Sequence, residues 1–84
     1  MNNLFEKQTT WTGADCYYVA ALSGFRRAWL AGPYPTRSLA DDVLPRAVRW
    51  ALRDSGDAQA ARYEYRVIQH HHGHDRSILG EIQP

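Results

Sequence analysis

Hydrophobic and polar positions change their period twice along this chain. From Asp15 to Tyr34 they alternate or run apolar, as in strands, and from Ser38 to Leu52 the apolar residues repeat at helical spacing. Alternation returns in "RYEYRVIQHHH", residues 62–72. The order strand, strand, helix, strand predicts an α+β fold: a small antiparallel sheet of three to four strands with one main helix packed on one face.

The first two strands are predicted to form a hairpin. The segments "DCYYVAALSG" (15–24) and "FRRAWLAGPY" (25–34) meet at Ser23-Gly24, a two-residue turn signal. Both faces of the first strand are apolar from Tyr17 to Leu22. This predicts that the first strand is central in the sheet and covered by the helix.

The second strand is predicted to be half exposed. Alternation places Ala28 and Leu30 on one face, while Arg27, Trp29 and Ala31 lie on the other. The second of these faces mixes arginine with aromatic side chains, so we expect it to be accessible to solvent or to a partner.

A helix is predicted soon after the prolines that follow the second strand. Ser38 with Asp41 has the spacing of a capping box, and Ser55-Gly56 is a stop signal. Asp41 and Asp42 are then expected in the first turn, where the helix dipole favours carboxylates.

Pro45 complicates this helix, because it lacks the N–H that an interior position donates and it clashes one turn back. The sequence leaves two alternatives open. Either the helix is kinked near Leu44, or the main helix begins with Pro45 at its first position.

The two ends of the chain carry weaker patterns. Residues 1–14 are polar without a period and are interpreted as a flexible or draped leader, so the compact domain is expected over residues 15–84. Residues 76–82, "RSILGEI", are a candidate for a short fourth strand.

Composition and charge narrow the class of protein. The 84 residues are 44% hydrophobic and contain no apolar run of membrane-spanning length, so a compact protein without a membrane partner is expected. The single cysteine, Cys16, and the absence of a secretory pattern favour the cytoplasm. Ten basic against nine acidic side chains give a net charge of +1, too small to drive non-specific nucleic-acid binding.

The chain contains one histidine-rich stretch, "VIQHHHGHDRS", residues 67–77. His70, His72 and His74 have the alternate spacing that would place three imidazoles on one strand face, as in a zinc site. Gly73 interrupts the strand, however, and we favour a polar loop that binds no metal tightly. No other cofactor is expected.

Candidate catalytic groups are few. Cys16 lies in a predicted strand, where a cysteine is usually inert packing, and no glycine-rich phosphate loop is present. The sequence therefore predicts a protein that is not an enzyme.

Arginine and aromatic side chains remain as candidates for partner binding. Each of them alone is well explained as part of a solvated face, but together they are the residue types enriched at interface hot spots. The predicted partner-binding residues are Arg26, Arg27, Trp29, Arg46, Arg49, Trp50, Arg53, Tyr63 and Arg66.

The stretch from Cys16 to Val67 resembles a group of small uncharacterised proteins of bacterial plasmids, integrative elements and phages. The resemblance is carried by Leu30, Gly32, Pro33, Tyr34, Thr36 and Ala40. It implies a mobile-element context, in which small proteins often resemble anti-CRISPR and anti-restriction inhibitors.

A second resemblance is to the DNA-binding domains of phage integrase arms and plant ethylene-response factors. In those domains a three-stranded sheet enters the major groove, and Arg26, Arg27 and Trp29 match its reading residues. Those domains place three strands before the helix, whereas this chain offers two.

The sequence thus predicts a small non-enzymatic binding protein of a mobile genetic element, a monomer or homodimer. Its expected action is to inhibit a host defence complex, in an anti-CRISPR-like manner, through protein–protein contacts. The alternative is a DNA- or RNA-binding accessory protein that uses an arginine and aromatic sheet face.

Overall fold

The computed structural model describes residues 15–71 and 76–84, and its regular elements follow the predicted order. The leader, residues 1–14, lies outside the described residues. The elements are β1 (Cys16–Ser23), β2 (Arg26–Tyr34), α1 (Arg37–Arg53), a short 3₁₀ turn (Ala60–Arg62) and β3 (Glu64–His70).

The three strands form one antiparallel sheet in the order β2-β1-β3. The helix α1 packs on one face of this sheet and contacts all three strands. The predicted α+β fold is therefore confirmed, and β1 is the central strand, as its two apolar faces indicated.

The core lies between α1 and the sheet face that we call the inner face. The sheet contributes Val19, Ala21 and Val67, and Tyr65 of β3 packs against them together with Tyr63, which precedes the strand. The helix contributes mostly alanine, which lets its backbone lie close to the sheet. The buried helix residues are Ala40, Val43, Ala47 and Ala51.

The turn of the hairpin falls one residue later than predicted. Ser23 pairs with Arg26 as the last rung of the ladder, so Gly24 and Phe25 form the turn instead of Ser23-Gly24. Gly24 has a φ of 60°, a left-handed conformation that glycine adopts without steric cost.

Alternation along β2 breaks at Leu30. Val19 pairs with Ala31 whereas its neighbour Ala20 pairs with Trp29, so Leu30 is an extra residue on β2. Leu30 and Ala31 consequently both belong to the core, and the prediction that places them on opposite faces is wrong at this point.

The helix begins earlier than predicted. Thr36 is the N-cap residue: its backbone is extended, and its Oγ1 accepts a hydrogen bond of 3.2 Å from the N–H of Leu39. The predicted capping box at Ser38 is therefore wrong. Asp41 is placed beyond the first turn, which contains no acidic residue.

Pro45 lies inside a single helix, so a main helix beginning at Pro45 is ruled out. The helix runs through the proline because Val43 and Ala47, on either side of it, are both buried against the sheet. Pro45 itself is exposed, so its ring faces solvent.

Residues 76–84 do not form the predicted fourth strand. They make a loop whose apex reaches the free edge of β2, where the N–H of Ile78 donates to the carbonyl of Trp29 at 3.0 Å. Gly80, with a φ of 66°, lets the loop bend back, and its carbonyl accepts from the N–H of Gly32 at 2.9 Å. The loop bends too sharply to continue as a ladder.

Candidate binding groove

The predicted partner-binding residues are divided between separate surfaces. Arg27, Trp29 and Arg66 share the outer sheet face, the face turned away from α1. Trp29 pairs with Ala20 from one side and Arg66 pairs with it from the other. Trp29, Ala20 and Arg66 therefore form one row across the sheet. The guanidinium of Arg27 lies 4.3 Å from the centre of the Trp29 ring, a cation–π contact.

Aromatic rings pack together on this outer sheet face. The Tyr18 and Trp29 rings are 4.4 Å apart, and the His70 ring lies 5.4 Å from Trp29. Tyr18 and Ala20 are completely buried, although neither faces the helix. Trp29, predicted as a binding residue, is thus also a packing residue.

The helix arginines lie on a different side of the molecule. Arg46, Arg49 and Arg53 are exposed on α1, whose buried positions face the sheet. Arg46 also holds the end of the chain, because its Nη1 donates to the carbonyl of Gln83 at 3.1 Å. These arginines and the outer sheet face cannot contact one flat partner together.

A third surface contains the predicted residues Arg26, Trp50 and Tyr63. These residues come from separate segments of the sequence. Two adjoining cavities of about 300 and 200 Å³ open between the hairpin, the end of α1 and the loop before β3. We call them the hairpin groove. Its principal wall residues are Arg26, Ala28, Trp50, Asp57, Tyr63 and Ile78.

Asp57 organises one wall of the hairpin groove. Its Oδ2 accepts a hydrogen bond of 2.6 Å from the Tyr63 hydroxyl, and its Oδ1 accepts one of 2.8 Å from the N–H of Gln59. The bond from Tyr63, followed by that from Gln59 and by the nearby positive charge of Arg26, lowers the pKa of Asp57. The same bond raises the pKa of Tyr63.

A second tyrosine fixes the deeper part of the groove. The Tyr65 hydroxyl donates to the carbonyl of Ala60 at 2.8 Å, and burial raises the pKa of this phenol. Both tyrosine hydroxyls are therefore directed to internal acceptors, which leaves mainly apolar ring and alanine surface toward the groove. A surface of this kind is suited to contact apolar groups.

The predicted partner-binding residues include Arg26, Trp50 and Tyr63 of the groove but not Asp57 or Ile78. Asp57 lies in the polar stretch "DSGDAQAA", residues 54–61, which has the composition of a solvated loop, and Ile78 belongs to the predicted fourth strand. The spacing of Asp57 before Gln59, typical of an Asx turn, is the one local signal in that loop.

The histidines are only partly within the described residues. His70 packs against the outer-face rings, and the Nδ1 of His71 lies 3.0 Å from the Oδ1 of Asp15. In residues 15–71 and 76–84, no three potential ligands come together to hold a metal ion. His72 and His74 lie outside these ranges, so the preference for a metal-free loop stays a prediction.

Acid titration should reveal the bond between Asp57 and Tyr63. The pKa of Asp57 is lowered in the folded protein, so the ionised Asp57 carboxylate stabilises the fold. This contribution is complete at pH values above the ordinary pKa of 3.8, and it is lost as the pH falls through the lowered pKa. Replacing Tyr63 with Phe removes the largest cause, so the pKa of Asp57 should rise toward 3.8. NMR titration of the Asp57 carboxyl carbon measures this, and an unchanged pKa in Tyr63→Phe would contradict the assignment.

The fold and the hairpin groove together define a small α+β protein with a mainly apolar groove beside its hairpin. The chain matches no protein-family model, no curated protein and no solved structure. Among the described residues, none of the helices has the length and apolar character needed to cross a bilayer.

Proposed function

We propose that this protein is a non-enzymatic binding protein that holds a protein partner in the hairpin groove. The observation that carries the proposal is the exposure of Phe25. This turn residue precedes the groove residue Arg26 in the chain, and the Phe25 side chain is completely exposed, at 108% of its reference area. Exposed aromatic side chains next to a groove are typical anchors of protein interfaces.

The C-terminal loop supports the same function. Ile78 is 60% exposed at the apex of the C-terminal loop and also lines the groove. A partner that covers both the groove and the adjacent hairpin turn would therefore remove two large apolar side chains from water, Ile78 in the groove wall and Phe25 in the turn. Arg26, which also lines the groove, adds a positive charge there.

The resemblance to small proteins of plasmids and phages extends this proposal to a partner class. On that basis the partner is a host defence complex, and the protein inhibits it in an anti-CRISPR-like manner by occupying a contact surface. It acts in the cytoplasm as a monomer or homodimer and needs no cofactor.

An interference assay tests this proposal. The protein is expressed in bacteria that carry a defined CRISPR or restriction system, and phage plating is counted across a panel of such systems. We expect plating to be restored in at least one system. The variants Phe25→Ser and Ala28→Glu should lose this effect, because loss of one anchor weakens binding by about thirtyfold, roughly 2 kcal/mol.

Leu52→Ser is the control, because Leu52 is a large apolar residue, 52% exposed, that does not line the groove. It should behave as the unmodified protein does. Unchanged plating across the whole panel would contradict the inhibitor role, and equal activity of Phe25→Ser would contradict the groove as its site.

A second candidate function, DNA or RNA binding, is favoured by the outer sheet face. There Arg27 stacks on Trp29, and Arg66 lies in the same row across Ala20. Arginines beside an aromatic ring suit the backbone and bases of a nucleic acid.

Binding to random duplex DNA and RNA at about 50 and 200 mM salt tests this second candidate. We expect no appreciable binding at the higher salt, because nine acidic side chains nearly balance ten basic ones. If binding is instead tight and steeply dependent on salt, and is lost in the Arg27→Ala, Arg66→Ala double variant, nucleic acid is the partner.

A further inference from the structure

The free edge of β2 carries backbone groups that the sheet does not use. In a two-residue hairpin, the closing pair Ser23 and Arg26 exchange hydrogen bonds, and bonded and non-bonded pairs then alternate along the strands. The N–H and C=O of Arg27 and Trp29 therefore point away from β1. The bond from Ile78 to the Trp29 carbonyl agrees with this direction.

The C-terminal loop covers only part of this edge. Its apex reaches the Trp29 carbonyl and then bends back toward Gly32. Within residues 15–71 and 76–84, no loop or tail forms a backbone hydrogen bond with Arg27. In the part of the chain that the structure describes, the edge is thus open at the position where the hairpin groove begins.

The groove lies directly beside the open position. Ala28, the next residue, is exposed and lines both cavities, and its small side chain leaves room above the edge. Side chains of an added strand alternate between faces, so those on the inner side would enter the groove. The cavity of about 300 Å³ has space for one apolar side chain.

The positive charge of Arg26 indicates which side chains an added strand should carry. Arg26 lines the groove, and no ion pair within the described residues engages it. Asp57 is close enough for its charge to interact with that of Arg26, but the two side chains form no ion pair. A carboxylate supplied by a ligand would complement Arg26.

We propose that β2 accepts a short extended acidic peptide segment of a partner protein, which pairs with the backbone of Arg27 and places one apolar side chain in the hairpin groove. This inference rests on the proposed function of the groove and specifies its ligand. A second copy of the chain is a poor occupant, because an antiparallel pair of β2 edges centred on Arg27 would place like charges opposite each other.

Selection from a phage library of random peptides about nine residues long tests the proposal on the full chain. We expect enriched peptides with a β-branched or aromatic residue flanked by Asp or Glu. Arg26→Glu should weaken binding of the best peptide at least about tenfold, as expected for an opposed charge pair. Arg49→Glu, on the exposed side of α1, is the matched control and should bind nearly as well as the unmodified protein.

Backbone methylation of that peptide distinguishes binding as an added strand of the sheet from binding through side chains alone. Methylating the amide that faces the Arg27 carbonyl should weaken binding by about tenfold, because one buried hydrogen bond is lost. Methylating the neighbouring amide should have little effect. In NMR spectra, the Arg27 amide should become protected from exchange when the peptide binds.

The outcomes distinguish the two proposals. If peptides bind and Ala28→Glu abolishes binding, but methylation has no effect, the groove is a binding site and strand addition is wrong. If no peptide is enriched, or if the enriched peptides are insensitive to both Arg26→Glu and Ala28→Glu, the acidic-strand proposal is overturned. The interference assay with Phe25→Ser then decides separately whether the groove binds a folded partner.

Discussion

Replacement of Gly32 by alanine is expected to lower the free energy of unfolding by about 3 kcal/mol, from an unfavourable backbone conformation together with overpacking. Gly32 has a φ of 123°, which residues with a side chain rarely adopt. A Cβ at this position would lie 2.9 Å from the Tyr17 carbonyl oxygen and 2.9 Å from Cδ2 of Tyr18. The carbonyl cannot move without disturbing the central strand.

Gly24→Ala is the matched control, since Gly24 also has a positive φ but a Cβ there would meet no atom within 4 Å. It should cost only about 1 kcal/mol, the conformational part of the effect. Urea denaturation of the three proteins measures both values. Equal losses for the two variants would show that the close approach to β1 contributes nothing.

Truncation of Tyr18 to alanine is expected to cost about 4 kcal/mol, the range for a large buried ring. Tyr18 is completely buried on the outer sheet face and lies against the Trp29 ring. If this face were only a solvated surface, the loss would be small. The variant therefore measures whether the sheet has a second packed face besides the one under α1.

Phe25→Ala provides the comparison for Tyr18→Ala in the same denaturation experiment. Phe25 is completely exposed, so its removal should change the free energy of unfolding by no more than about 0.5 kcal/mol. A loss below about 1.5 kcal/mol for Tyr18→Ala would contradict a packed outer sheet face.

The fold could be predicted because hydrophobic periodicity reports it directly. The two apolar faces of Tyr17 to Leu22 indicated the central strand, and the spacing of Val43, Ala47 and Ala51 indicated the helix face that is buried. Periods of this kind depend on local geometry alone, so no knowledge of the tertiary structure is needed.

The errors occurred where tertiary contacts decide between local alternatives. Thr36 and Ser38 are both competent caps, and the sequence does not show which one the chain entering from β2 will use. The extra residue at Leu30 shifts the alternation of β2 without a glycine or proline to mark it. The C-terminal loop has a strand-like composition, but it meets β2 at a bend.

The groove was the least predictable part of the protein. Its walls come from β1, β2, the end of α1, the loop before β3 and the C-terminal loop, which are separated in the sequence. The criterion of residue type, arginine or aromatic, indicated Arg26, Trp50 and Tyr63 as candidates. The same criterion also indicated Arg49 and Arg53, which lie on the exposed side of the helix away from the groove. Only the packing of the elements separates these sets.

Burial of Cys16 gives the folded chain a built-in chemical reporter. Its thiol is only 6% exposed and lies 3.6 Å from the His70 carbonyl, where β1 and β3 pair. Alkylating reagents and oxidants therefore reach the sulfur only when this end of the sheet opens. The rate at which a thiol reagent labels the native protein therefore reports how often this region opens. A disulfide-linked dimer on a non-reducing gel shows that chains opened and were oxidised during storage.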